Sequence, residues 1–240
     1  MSTSVPSLAV DHRIDLPPAN RSLTSLLAGV EKRTLVWLAE RLPAWVNSDH
    51  LTALALAAML LAGGAFWLAR FTALALPLVT IFLAVNWFGD SLDGTLARVR
   101  NCQRPRYGFY VDHIVDAIGA LFLLTGLALS GYMHPFIAIG LLVAYLLLLV
   151  ETFLATHTIR TFTMSYFKIG PTELRIILAI GTLTLLVHPM AGILGRHYRL
   201  FDVGGIVAIV GLLFTLFVAI VRHTTLLYRA EPLPAVESLR

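Results

Sequence analysis

Charged residues are scarce in this sequence. They make up only 13% of its 240 residues, while hydrophobic residues make up 58%. Because a soluble domain usually carries about a quarter charged residues, this chain has too few polar side chains to cover the surface of a soluble globule. Since long apolar segments cross membranes as helices, the composition predicts an all-α integral membrane protein with a single helical bundle.

Cysteine is nearly absent as well. A single cysteine, Cys102, excludes a disulfide within the chain and argues against a metal site built from thiolates. The formal net charge of +4 does not require a nucleic-acid partner, since the basic residues of membrane proteins gather in cytoplasmic loops. We therefore expect membrane lipids, and no nucleic acid, as partners.

The first 22 residues lack the apolar run of a secretory signal peptide and contain charges and prolines instead. We expect residues 1–22 to form a flexible cytosolic tail. In residues 23–46, apolar residues such as Leu27, Val30 and Leu35 recur at helical spacing between charged residues. This pattern predicts an amphipathic juxtamembrane helix on the membrane surface, and the alternative is a helix packed in a soluble part of the protein.

Six apolar stretches are long enough to cross a bilayer, which takes about 20 residues. They cover residues 51–69, 73–98, 108–131, 135–156, 171–190 and 203–226. These stretches predict a domain of six transmembrane helices over residues 47–228, followed by a cytosolic tail over residues 229–240.

The basic residues divide unequally between the two faces that six spans create. Arg70, Arg196 and Arg199 fall on one face. The other face carries Lys32, Arg33, Arg41, Arg98, Arg100, Arg104, Arg106, Arg160, Lys168, Arg175, Arg222 and Arg229. Because basic residues favour the cytoplasmic side of a membrane, the second face is predicted to be cytoplasmic.

Four aspartates interrupt the apolar sequence around the second and third spans. Asp90 and Asp93 are three residues apart, and Asp112 and Asp116 are four residues apart, so each pair lies on one face of its helix. The loop between the two helices, NCQRPRY, is short, and the helices are therefore expected to pack antiparallel. The four carboxylates can then converge near the cytoplasmic end of the bundle.

Converging carboxylates repel one another unless a cation neutralises them. A site made of oxygen ligands suits Mg²⁺ or Mn²⁺, and two such ions about 4 Å apart can support displacement at phosphorus. The neighbouring residues suit a phosphorylated ligand. Gly94 leaves space beside the helix, Arg98 can pair with a diphosphate, and Gly108 permits a close approach to the backbone.

The spacing of these residues resembles the signature of the CDP-alcohol phosphatidyltransferase family. That signature reads Asp-x-x-Asp-Gly-x-x-Ala-Arg, then nine residues, then Gly-x-x-x-Asp-x-x-x-Asp. All eight of its defining positions are present, as Asp90, Asp93, Gly94, Ala97, Arg98, Gly108, Asp112 and Asp116. A further family motif, Pro-Asp/Asn-x-x-Thr, is matched by Asp49 and Thr52, with Ser48 where proline is common.

The resemblance implies a membrane enzyme of phospholipid biosynthesis with six transmembrane helices behind a surface helix. Such an enzyme transfers a substituted phosphate group from a CDP-linked alcohol to an acceptor alcohol and releases CMP. By similarity, Asp90, Asp93, Asp112 and Asp116 hold two Mg²⁺ or Mn²⁺ ions, and Asp116 is also the general base. The CDP part is then held by Asp49, Thr52, Gly94, Arg98 and Gly108.

The identity of donor and acceptor stays open in the sequence. The segments DHIVD and GPTELRI are similar to parts of choline and ethanolamine phosphotransferases, and Glu173 could face a cationic head group. Six spans instead suit bacterial enzymes that use CDP-diacylglycerol, which would place the protein in a bacterial plasma membrane. Arg160, Lys168, Arg175 or Arg222 could then bind a phosphorylated acceptor.

The alternative function is that of a non-catalytic or transporter-like membrane protein that binds metal. A transporter should show broken helices or repeated halves, and an inactive relative should lack a motif residue. Neither feature is evident, which favours the enzyme. The small-residue stretches LAGGA and VGGIVAIVGLL permit close helix packing and so allow a homodimer.

Overall fold

The computed structural model describes residues 28–159, 170–193 and 195–231, and most of them are helical. The helices are α1 (Ala28–Ala39), α2 (Ser48–Ala69), α3 (Leu76–Val99), α4 (Pro105–Ser130), α5 (Pro135–Ile159), α6 (Pro171–Thr184) and α7 (Leu200–Ala230). A short 3-10 helix at Ala73–Ala75 leads into α3. Two antiparallel strands, β1 (Met190–Ile193) and β2 (Arg196–Arg199), form a hairpin before α7.

Local sequence signals mark where several helices begin and end. Asn47 caps α2, because its side chain accepts a hydrogen bond from the backbone N–H of His50, whose ring accepts one from the Asn47 N–H. Proline stands in the first turn of α3, α4 and α6. Backbone N–H groups in the first turn of a helix have no acceptor within the helix, so the N–H that proline lacks is not needed there. Gly131 ends α4 at a φ of 82°, which glycine adopts without strain.

Among the residues that the structure describes, five helical segments are long and apolar enough to cross a membrane, so the chain is a multi-pass membrane protein. These segments are Ser48–Ala69, Ala73–Val99, Pro105–Ser130, Pro135–Ile159 and Leu200–Ala230. They correspond to five of the six predicted spans, with ends that differ by a few residues. The expected all-α membrane architecture is therefore confirmed.

The predicted span over residues 171–190 differs from the others. Its helix, α6, has 14 residues and ends at Thr184, and β1 begins at Met190. Such a helix rises about 21 Å, which is less than the roughly 30 Å of a bilayer core. Pro189 disfavours helical backbone at the residue before it, a constraint that hydropathy does not report. Within the described residues, a sixth long span is therefore not confirmed.

The predicted surface helix over residues 23–46 corresponds to the shorter α1, and residues 23–27 lie outside the described part of the chain. Leu35 and Ala39 of α1 are buried in one apolar cluster with Leu92 and Leu96 of α3. At the other terminus, α7 continues to Ala230 and enters the tail predicted over residues 229–240. Residues 1–22 and 232–240 lie outside the described residues.

The central helix of the bundle is α2, which packs against both α3 and α4. A Cβ atom on Gly63 of α2 would lie 2.3 Å from the carbonyl oxygen of Phe122, and one on Gly126 of α4 would lie 2.0 Å from the carbonyl oxygen of Gly63. The two backbones therefore touch, as they do where small residues line a contact between membrane helices. Phe66 and Leu127 are buried in the core cluster that includes both helices.

Polar contacts link the outer helices. Glu151 of α5 and His223 of α7 lie 2.6 Å apart, from Oε1 to Nδ1. Glu31 of α1 accepts hydrogen bonds from Trp87 of α3 at 2.8 Å and from Thr172 of α6 at 2.7 Å. Through Glu31, the N-terminal end of α6 is thereby connected to both α1 and α3.

Gly63→Ala tests the crossing of α2 and α4. The added methyl group would overlap the Phe122 carbonyl oxygen, and overpacking of this kind costs about 1–3 kcal/mol. We expect a lower thermal midpoint in detergent. Gly64→Ala is the matched control, since nothing lies within 4 Å of the Cβ position at Gly64. Equal thermal midpoints for the two variants would contradict the close crossing.

Candidate metal and substrate site

Three carboxylates from two helices meet at one end of the bundle. Asp90 of α3 and Asp112 and Asp116 of α4 each offer one oxygen atom, and these three atoms lie within 4.8 Å of one another. All three residues are half-buried. The structure thus brings together three of the four aspartates that the sequence singled out.

The convergence depends on the packing of α3 and α4 against α2. Gly89 precedes Asp90, and a Cβ atom on Gly89 would lie 2.6 Å from the carbonyl oxygen of Leu51 in α2. On α4, Gly119 faces Met59 of α2, with 3.1 Å between the Gly119 Cβ position and the Met59 Cγ atom. Small residues therefore bring each aspartate-bearing helix close to α2 within one turn of a carboxylate.

Asp93, the fourth aspartate, does not belong to the group of three carboxylates that meet. Its position is set by hydrogen bonds from α2. Its Oδ2 accepts a 2.6 Å hydrogen bond from the hydroxyl of Thr52, and its backbone carbonyl accepts one of 2.8 Å from the hydroxyl of Ser48. The Asp93 carboxylate still interacts electrostatically with Asp112 and Asp90. Ser48, which stands where proline is common, thus joins α2 to α3 through a side chain that proline lacks.

The other predicted substrate residues surround this group. Asp49, in the first turn of α2, pairs with Arg104 at the start of α4 through two contacts of 2.5 and 2.6 Å. This hydrogen bonding raises the pKa of Arg104 above its ordinary value, but both side chains are exposed, so the pair adds little to stability. Arg104 also stacks over the ring of Tyr107, with 4.1 Å between the guanidinium carbon and the ring centroid.

The two predicted glycines leave space beside the site. No atom lies within 4 Å of a Cβ position on Gly108, one turn before Asp112. At Gly94, the nearest such atom is Nη1 of Arg98, at 3.4 Å. Arg98 also donates a 3.0 Å hydrogen bond to the hydroxyl of Thr95. A ligand that approaches α3 at Gly94 therefore meets the Arg98 guanidinium first.

Arg175 contacts one of the aspartates, and no pattern in the sequence predicted this contact. Nη2 of Arg175, on α6, lies 2.5 Å from Oδ2 of Asp90, and both side chains are mostly buried, with exposures of 17% and 21%. Tyr145 of α5 also interacts electrostatically with Asp116 and Arg175. A basic residue inside an apolar stretch is a sequence feature that marks Arg175 as unusual. The sequence does not identify its partner, because Asp90 is 85 residues away.

The donor set fits divalent cations. It consists of carboxylate oxygens alone, which is the ligand type that Mg²⁺ and Mn²⁺ prefer. The three oxygen atoms are close enough to share one ion, and Asp93 supplies a further carboxylate beside them. Three acids near one another in a half-buried site also need positive charge, and Arg175 supplies part of it.

Comparison with known proteins agrees with the motif. The model of the CDP-alcohol phosphatidyltransferase family matches residues 45–221, which include every aspartate of the site and α2 to α6 in full. No curated protein matches the chain.

Asp116→Asn tests the repulsion within the site. One oxygen of Asp116 lies within 4.8 Å of oxygens of Asp90 and Asp112, so a neutral side chain at this position removes two close repulsive pairs, while it also removes a weaker attraction to Arg175. In the presence of EDTA we expect the variant to be more stable by about 1 kcal/mol, which corresponds to a rise of roughly 2–4 °C in the thermal midpoint.

Asp202→Asn makes the same chemical change on α7, where Asp202 accepts a hydrogen bond from the backbone N–H of His134. It should not raise the midpoint. A lower midpoint for Asp116→Asn than for the wild-type protein would contradict a net repulsion at Asp116.

Proposed function

The chain belongs to the CDP-alcohol phosphatidyltransferase family, and on that premise we propose that it is a membrane enzyme of phospholipid biosynthesis. Family membership indicates a transferase of substituted phosphate groups. The proposed reaction moves such a group from a CDP-linked lipid or aminoalcohol to an acceptor alcohol and releases CMP. The observation that carries the proposal is the meeting of Asp90, Asp112 and Asp116 from two helices.

The aspartates are the proposed metal ligands. Asp90, Asp93, Asp112 and Asp116 would together hold two Mg²⁺ or Mn²⁺ ions. When bound, the ions supply positive charge to the diphosphate and to the departing CMP. Thr52 supports this arrangement by fixing one oxygen of the Asp93 carboxylate, which leaves the side chain few orientations to lose when a ligand binds.

Asp116 is the proposed general base. It lies one helical turn after Asp112, and so further from the start of α4 and deeper in the bundle. A base in this position accepts the proton of the acceptor hydroxyl while the hydroxyl oxygen attacks phosphorus. The rigid helix holds the carboxylate in place, so little orientation is lost when the reaction begins.

The CDP part is proposed to lie along the outer rim of the site. Asp49 and Thr52 contribute from α2, Gly94 and Arg98 from α3, and Gly108 from α4. The open space at Gly94 and Gly108 supports this assignment, and the Arg98 guanidinium can pair with a phosphate oxygen.

The choice of acceptor stays open. Glu173 was considered as a partner for a cationic head group, but its Oε2 accepts a 2.9 Å hydrogen bond from the backbone N–H of Gly170. This contact gives Glu173 a helix-capping role in α6. We therefore do not assign Glu173 to a cationic head group, whether of the donor or of the acceptor, and phosphorylated and neutral alcohols both stay candidate acceptors.

We further propose that α6 and the segment up to Pro189 complete a sixth crossing, and that α1 lies on the cytoplasmic surface beside the site. The basic residues near the C-terminal end of α3 and the N-terminal end of α4 support a cytoplasmic position for the aspartates. A bacterial plasma membrane suits an enzyme of this size and topology, and a homodimer is compatible with it.

Release of CMP tests the function directly. Purified protein with Mg²⁺ is given CDP-diacylglycerol, CDP-choline or CDP-ethanolamine, each with a panel of acceptor alcohols that includes diacylglycerol. We expect CMP from at least one pair, and loss of that activity in EDTA with recovery on addition of Mg²⁺ or Mn²⁺. Full activity in EDTA would rule out the metal assignment. If no pair reacts, CDP binding that depends on Mg²⁺ would support the nucleotide and metal assignments, and no binding of CDP would reject them.

Asp116→Asn tests the general base. We expect CMP release to fall by at least about 100-fold, the usual contribution of a general base, while binding of CDP stays within a few fold of that of the wild-type protein. Asp202→Asn is again the control and should retain activity. Normal turnover of Asp116→Asn would assign the base to another residue.

A further inference from the structure

The contact between Arg175 and Asp90 has no role in the reaction proposed above. It joins α6 to the carboxylates of α3 and α4, and the two side chains are largely shielded from water. Burying a guanidinium or a carboxylate inside a membrane bundle costs free energy, and pairing the two opposite charges lowers that cost for each of them. The position of Arg175 therefore depends on the charge of the site.

The helix that carries Arg175 is held by other contacts. Thr172, one turn earlier, donates a hydrogen bond to Glu31 of α1, and Glu173 caps the first turn of α6 through Gly170. On its other side, a Cβ atom at Gly181 would lie 2.9 Å from the ring of Phe201. Because these contacts place the helix, the long side chain of Arg175 can leave Asp90 without movement of α6.

We propose that Arg175 is an internal counter-ion of the metal site, which a divalent cation displaces from Asp90. The inference rests on the proposed function, because it assumes that the aspartates bind divalent ions. A guanidinium and a divalent ion compete for the same negative charge. The metal therefore binds less tightly than three carboxylates alone would allow, and the site remains stable without it. Arg175 is a positioning residue in this scheme, since it acts on the metal through Asp90.

The test is the affinity for Mn²⁺ without any substrate, measured from the electron paramagnetic resonance signal of free Mn²⁺ in a titration of detergent-purified protein. Arg175→Gln removes the competing charge, and we expect its dissociation constant for Mn²⁺ to fall by about tenfold, as expected for a unit charge a few ångströms away. Arg175→Lys keeps a charge on a shorter side chain without the planar fork and should lie between Arg175→Gln and the wild-type protein. Arg229→Gln removes a charge from an exposed side chain at the end of α7 and should leave the affinity for Mn²⁺ unchanged.

A residue that merely orients Asp90 would give the opposite sign, with weaker Mn²⁺ binding in Arg175→Gln. Weaker or unchanged binding would overturn the inference. If Arg175→Gln does not fold, the sign of the change in Arg175→Lys decides in the same way. If the wild-type protein bound no Mn²⁺, the proposed metal site would fail and this inference with it, whereas binding that weakens in the variants would reject only the role of Arg175.

Discussion

The close contact between α2 and its two neighbours is the constraint on which the rest of the structure depends. At Gly63 and Gly126 the backbones of α2 and α4 touch, and at Gly89 α3 comes nearly as close to α2. Side chains at these positions would overlap the facing backbone and force the helices apart. Small residues that bear no carboxylate therefore help to determine the geometry of the site.

This packing concentrates negative charge where the surroundings are apolar. The structure contains three partial remedies in its described residues. Arg175 pairs with Asp90, Thr52 donates a hydrogen bond to Asp93, and the site itself is only half-buried. None of them removes the repulsion among Asp90, Asp112 and Asp116. The repulsion that remains lowers the stability of the folded protein, and it favours the proposed binding of cations.

The outer helices contribute to the site through different kinds of contact. Glu31 connects α1 with Trp87 and Thr172, so α1, α3 and the start of α6 form one connected unit. On the opposite side, α5 packs on α4 and brings Tyr145 near Asp116. The start of the short α6 is therefore placed by polar contacts, and its later part is placed by packing against the core cluster and Phe201. A change at Glu31 is expected to reach Arg175 through Thr172.

The class of the protein, five of its membrane helices and the acidic residues of its site could all be predicted from the sequence. Apolar runs specify membrane helices because unsatisfied backbone groups cannot remain in lipid. The spacing of Asp112 and Asp116 specifies a shared face because helical geometry is fixed. Tertiary structure alone decided which distant residues meet. Arg175 pairs with Asp90, and hydrogen bonds join Thr52 to Asp93 and Thr172 to Glu31. The helix α6 ends at Thr184. These outcomes depend on how whole helices pack, and no local pattern in the chain encodes that.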